Sequence, residues 1–291
     1  MCSPEVMSRV QAVLRGGNAS VSRRGFLGAT GALAAAGAVA PLTLRAQDAT
    51  PVATPVLEGR TITYGIVANL SHPLSPTSPV WPGRLPFGVE NEVTVAADGF
   101  YANILTIHEH IGTHIDAPAH FVDGGTTTDL IDPGQLVAPI AVIDVTAQAG
   151  ADVDYALTID DILAWEAENG ELPLGAFVAM NSGWSDRFSD AEAFVNLDAA
   201  GVQHYPGFHP DAAIFLAEQR SIVGIGVDTL SQDPGNSTDF GTHVATAGAG
   251  LYGVECVANL GDVPISGATV VVGGPNHEGG SGGLARLLAL Y

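Results

Sequence analysis

From Thr61 onward the chain is built of short apolar or β-branched runs separated by proline- and glycine-rich breaks. Runs of this kind, bounded by turn residues, predict strands, here at residues 61–64, 89–95, 102–107, 140–145, 177–180, 221–227 and 269–272. Two stretches carry helix signals instead. Thr158 ahead of Asp160 and Asp161 offers an N-cap and an acidic first turn for a helix over 158–168, and Pro210-Asp211 opens another over 210–218. Pro73, Pro76, Pro79, Pro82 and Pro86 mark a long ordered loop. Many strands, few helices and no internal repeat predict an α/β fold richer in β-structure than a doubly wound sheet.

The first 60 residues follow a different pattern. Ser22-Arg23-Arg24-Gly25-Phe26-Leu27 precedes a small apolar run from Gly28 to Pro41 that is too short and too rich in Ala and Gly for a stable membrane span. Paired arginines directly before Phe-Leu resemble a twin-arginine export signal, with cleavage expected after Ala46. That resemblance implies a periplasmic or extracellular protein, exported already folded. The stretch Asp48 to Pro55 repeats a proline every fourth residue and reads as an extended linker. The expected organisation is a leader over 1–46, a linker over 47–59 and one domain over 60–291.

Composition narrows the function. Hydrophobic residues make up 46% of the chain and charged residues 14%, enough apolar surface for a sizeable core. All ten basic residues are arginines, so Schiff-base and Ser-Lys chemistry are excluded. Residues 47–291 hold 30 acidic groups against five arginines. Such a surface repels phosphate backbones and anionic lipid, which argues against nucleic acid and membranes as partners. Cys256 stands alone in that region and is expected to be a buried, inert thiol.

Four of the nine histidines fall within His108-Glu109-His110-Ile111-Gly112-Thr113-His114-Ile115-Asp116-Ala117-Pro118-Ala119-His120. Gly112, Thr113 and Pro118 oppose a helix there. In extended backbone, residues of equal parity share a face, so His110, His114 and Asp116 can converge with His120 just beyond. Imidazole with carboxylate suits Zn, Mn or Fe(II) and leaves positions open for water. His108 is expected at the rim. Gly279-Gly280-Ser281-Gly282-Gly283 formally fits a nucleophile elbow, but no histidine follows the serine, so that serine-hydrolase order fails.

The run from His110 to His120 resembles the signature His-x-Gly-Thr-His-x-Asp-x-Pro-x-His of the cyclase family of metal hydrolases, which includes bacterial kynurenine formamidase and isatin hydrolase. Leu70–Ser75, Val80-Trp81-Pro82-Gly83, Gly226–Thr229 with Ser231, and Glu278–Gly282 resemble further segments of that family. The resemblance implies a swivelling β/β/α-type fold, a homodimer or homotetramer, and one or two Zn(II) or Mn(II) ions held by His110, His114 and Asp116 with His243 and Glu255. It also implies a small-molecule substrate against Trp81 and His120 as general acid/base in metal-assisted hydrolysis of an amide. The alternative within the family is a metal-dependent lyase, dehydratase or cyclase acting on a hydroxy-carbonyl compound. From a different class, a secreted metal scavenger would not require a free base such as His120 beside the ligands.

Overall fold

The computed structural model describes residues 61–291, so the expected leader and linker lie outside the described residues. Thirteen strands and six α-helices are present among those residues. The strands are β1 (Val67–Asn69), β2 (Gly88–Val93), β3 (Ala102–Thr106), β4 (His114–Asp116), β5 (Val137–Asp144), β6 (Ala156–Leu157) and β7 (Phe177–Asn181), then β8 (Gly207–Phe208), β9 (Gly224–Val227), β10 (Tyr252–Glu255), β11 (Thr269–Gly273), β12 (Gly282–Leu284) and β13 (Arg286–Leu290). The helices are α1 (Val95–Asp98), α2 (Thr146–Ala151), α3 (Ile159–Asn169), α4 (Ala191–Val195), α5 (Pro210–Gln219) and α6 (Gly241–Gly248). Nine strands form one mixed sheet in the order β1-β13-β11-β5-β7-β9-β10-β4-β12. Its centre, β5-β7-β9-β10, is parallel, and antiparallel strands extend it on both sides.

The parallel centre has both faces covered, which explains why β5 and β7 read as nearly unbroken apolar runs. Alternate residues divide between two cores: Ile140, Val142, Phe177 and Ala179 pack on one face, and Ala141, Ile143, Val178 and Met180 on the other. The larger of these side chains each contribute about 1.5–3 kcal/mol by leaving water. Helix α3 covers the second face through Ile162 and Trp165, with the Trp165 indole N–H donating to the Val142 carbonyl at 3.0 Å. Thr158 and Asp161 cap that helix reciprocally. Gly226 lets the rings of Phe177 and Tyr252 stack, since a Cβ there would come within 2.5 Å of Phe177.

Several boundaries differ from expectation. Residues 61–64 form no strand, because pairing with β13 begins only at Val67. Ser221 turns through a left-handed conformation, φ 47°, so the strand expected from 221 starts at Gly224. Val95 opens α1, capped by Thr94, in place of ending a strand. Only His114–Asp116 of the histidine-rich run is strand; Gly112, at φ 57°, bends the chain before it, and His120 sits on a single 3₁₀ turn after Pro118.

Candidate metal centre

Strand β4 lies between β10 and β12 and places the donors. His114 and Asp116 are two residues apart and project from the same face. Glu255 is directly opposite His114 on β10, while Gly253 and Gly282 oppose Asp116 and leave its surroundings open. A fourth donor, His243, arrives from α6. That helix escapes sequence reading because glycines bound it and its cap is not local: the Thr242 and His243 N–H groups donate to the Asp233 carboxylate at 2.7 and 3.2 Å.

His114 Nε2 lies 3.2 Å from Asp116 and 3.3 Å from Glu255, while His243 Nε2 lies 3.4 Å from Asp116 and 3.1 Å from Glu255. Donors bound at about 2.0–2.2 Å around one ion stand about 3.3–3.6 Å apart, and His114, Asp116 and Glu255 are grouped as such donors, while His243 meets the other oxygen of each carboxylate. Tautomers are fixed from behind. His114 Nδ1 donates to the Gly112 carbonyl at 2.8 Å, and His243 Nδ1 donates to Asp233, so each Nε2 faces the centre. His114 Nε2 is buried without an aligned hydrogen-bond partner. A buried nitrogen left without a partner, aimed between two carboxylates, fits a ligand to a cation.

Electrostatics agree. Burial opposes charging of His114, but Asp116 and then Glu255 outweigh it and raise its pKa to about 10. Burial likewise opposes His243, and Asp116, Asp233 and Glu255 raise it well above 6.5. Burial pushes the Asp116 and Glu255 carboxyls up, Asp116 adds to this at Glu255, and the neighbouring histidines bring both below their ordinary values. Positive charge is thus favoured at this point whether a proton or an ion supplies it.

His110 joins the same carboxylate from the preceding bend, its Nδ1 2.6 Å from Asp116, and its Nε2 meets Ser281 Oγ at 3.0 Å. These distances imitate a Ser-His-Asp triad. The Ser281 hydroxyl, however, donates to Glu109 at 2.6 Å and does not line the cavity beside the centre. Glu109 in turn pairs with the exposed His277. His120 stacks on His110 at 3.8 Å and approaches His243, with Phe121 against its edge. Loss of solvation there lowers its pKa to about 4 against the pull of Asp116, with His110 and His243 lowering it further. Burial thus keeps the ring in its neutral form, with a lone pair free for proton transfer.

The cavity above the centre measures about 270 Å³, near the lower end of small-molecule pockets, about 300–1,000 Å³. His110, His114, His120, His243 and Glu255 form its floor, and Trp81, Phe121 and Phe240 its aromatic wall, with His108 and Arg84 at its edge. Trp81, His110, His114, Asp116, His120, His243 and Glu255 are thus gathered in one place. Sequence reading missed Gln232 and Asp233. Gln232 donates to Asp116 at 2.9 Å from its side chain and to Glu255 at 3.0 Å from its backbone. Their only sequence signal is position, immediately after Ser231 in the loop that follows β9. Phe240, at φ 53°, is a strained non-glycine residue at the pocket wall, and strain of this kind is common at functional sites.

The family profile described as "Putative cyclase" matches residues 68–234. Isatin hydrolase from Roseibium aggregatum is 38% identical over 204 residues, covering 67% of this chain and 77% of that protein. Kynurenine formamidase from Bacillus cereus is 28% identical over 191 residues, covering 65% and 80%. Among solved structures, isatin hydrolase A from Ralstonia solanacearum superposes with a TM-score of 0.73 at 36% identity over 77% of this chain and 91% of its own. A protein described as a potential metal-dependent hydrolase with cyclase activity gives 0.59 at 25% identity, over 77% and 96%. Fold and donor set are those of a metal-dependent hydrolase acting on C–N bonds other than peptide bonds. The chain belongs to the cyclase family.

Proposed function

We propose that the protein hydrolyses the acyl bond of an N-formyl aryl amine, a cyclic amide or a lactone. One observation carries this reading: a neutral imidazole, His120, faces a cavity that joins an aromatic wall to a floor of converging metal donors. His110, His114, Asp116, His243 and Glu255 would hold one or two ions, with imidazole and carboxylate donors suiting Zn(II) or Mn(II). When bound, such an ion supplies the charge that polarises a carbonyl and acidifies water. His120 takes the proton from the attacking water as the new C–O bond forms, and returns it to the leaving nitrogen as the C–N bond breaks. Trp81, with Phe121 and Phe240, orients the aryl ring and excludes water. Turnover of formanilide-type and cyclic aryl amides, with no turnover of hydroxy-ketones, is the expected result. The reverse outcome would establish the lyase alternative.

We further infer a homo-oligomer, homodimer or homotetramer. Among the described residues, strands β2 and β3 pair only with each other, and Leu85, Phe100 and Tyr101 around them are 68%, 60% and 63% exposed. An isolated two-stranded hairpin is marginally stable in water, so a second copy covering it is expected, and light scattering tests this. Export by the twin-arginine route rests on Arg23-Arg24 ahead of Phe26-Leu27. Among the described residues no helix is long and apolar enough to cross a membrane. Replacing both arginines with lysine should hold the protein in the cytoplasm, and undiminished export would refute the route.

A further inference from the structure

The turn that carries Trp81 also carries a cation. Trp81-Pro82-Gly83-Arg84 closes through a hydrogen bond from the Arg84 N–H to the Trp81 carbonyl at 3.0 Å, with proline at the second position and Gly83 at φ 82°. This is the pattern of a type II turn, which brings its first and fourth residues within about 7 Å of each other. Trp81 and Arg84 therefore stand side by side, and both line the cavity above the metal donors. Any residue but glycine at position 83 would be strained, so the pairing is rigid.

Arg84 differs from the other arginines of the described residues. Arg220 is bound by Glu166 at 2.7 Å, and Arg187 lies over the ring of Trp184. Arg286 does not line the cavity. Arg84 has no carboxylate within ion-pair distance among the described residues, despite the 31 acidic residues of the chain. With a single divalent ion bound, Asp116 and Glu255 on the floor match it charge for charge, and the floor has no surplus attraction for an anion. The surrounding acidic surface repels one.

We propose that Arg84 is a specificity-determining residue that receives a carboxylate at the end of the substrate remote from the scissile amide. Resting on the amide-hydrolase reading, this narrows the substrate class to aryl amides bearing an acid group, with the ring against Trp81 and the acid on the guanidinium. A guanidinium and a carboxylate form a charge-assisted, geometrically specific pair that a neutral amide cannot replace.

The test compares 3-formamidobenzoate with its uncharged counterpart 3-formamidobenzamide in the metal-loaded wild type, Arg84→Met and Arg84→Lys. The wild type should favour the carboxylate by about tenfold in kcat/KM, as expected for an exposed ionic contact, mainly through KM. Arg84→Met should abolish the preference and Arg84→Lys should restore part of it. A preference that survives Arg84→Met would overturn the assignment and give the carboxylate to the metal. If the wild type hydrolyses neither compound, the amide-hydrolase reading fails, and tryptophan fluorescence titration with benzoate and benzamide decides Arg84 alone. Tighter benzoate binding that is lost in Arg84→Met would uphold it, and equal affinities in the wild type would sink it.

Discussion

Asp233 offers a sharp test of how the centre is held together, because it binds no substrate yet controls a donor. Its carboxylate accepts three hydrogen bonds: the Thr242 N–H at Oδ1, and the His243 N–H and Nδ1–H at Oδ2. In Asp233→Asn the carbonyl oxygen can still serve Thr242, so the first turn of α6 keeps its strongest anchor. The amide nitrogen then faces two donors of His243. The imidazole loses the partner that fixes its tautomer and aims Nε2 at the floor, and it loses a carboxylate that favours its positive charge. Removing such a supporting carboxylate typically weakens metal affinity by about 10–100-fold, or about 1.4–2.7 kcal/mol. Competition with a chromophoric chelator measures the change, and circular dichroism checks that α6 remains. A folded Asp233→Asn protein that binds metal as tightly as the wild type would refute the reasoning and make the Asp233 contact merely structural.

Three further outcomes follow from the same geometry. Replacing His120 with Asn should leave metal content and fold intact while kcat falls on the order of 10²–10⁴-fold, with KM much less changed; loss of metal would make it a ligand instead. In metal-free protein the folded pKa of His114, about 10, lies above its unfolded value of 6.5, so its contribution to stability is complete below pH 6.5 and vanishes as pH rises through about 10. Melting temperature after chelation should fall across that window and fall less with metal bound, and a flat profile would contradict the charge balance assigned to the floor. A Cβ at Gly253 would land on the Gln232 amide that holds Asp116, so Gly253→Ala should cost about 1–3 kcal/mol and weaken metal binding together; a melting curve and metal content both unchanged would remove Gln232 from the support of the site.

The sequence by itself determined the chemistry of the floor. The spacing of His114 and Asp116 is a strand periodicity, and the glycine, threonine and proline around them rule out a helix, so their common face follows from local rules alone. Helices α3 and α5 were equally legible, because Thr158 with Asp161 caps the first and Pro210 opens the second at its first position. Resemblance, not periodicity, pointed to His243 and Glu255. Only the tertiary structure decided how these reach the centre: Glu255 through cross-strand register with His114, and His243 through a helix whose cap, Asp233, comes from the preceding loop. Register and remote capping are long-range hydrogen-bonding choices with no local pattern to read. The same holds for Gln232, whose role exists only because Gly253 leaves it room beside Asp116, and for Arg84, whose lack of a carboxylate partner depends on where every acid of the fold comes to rest.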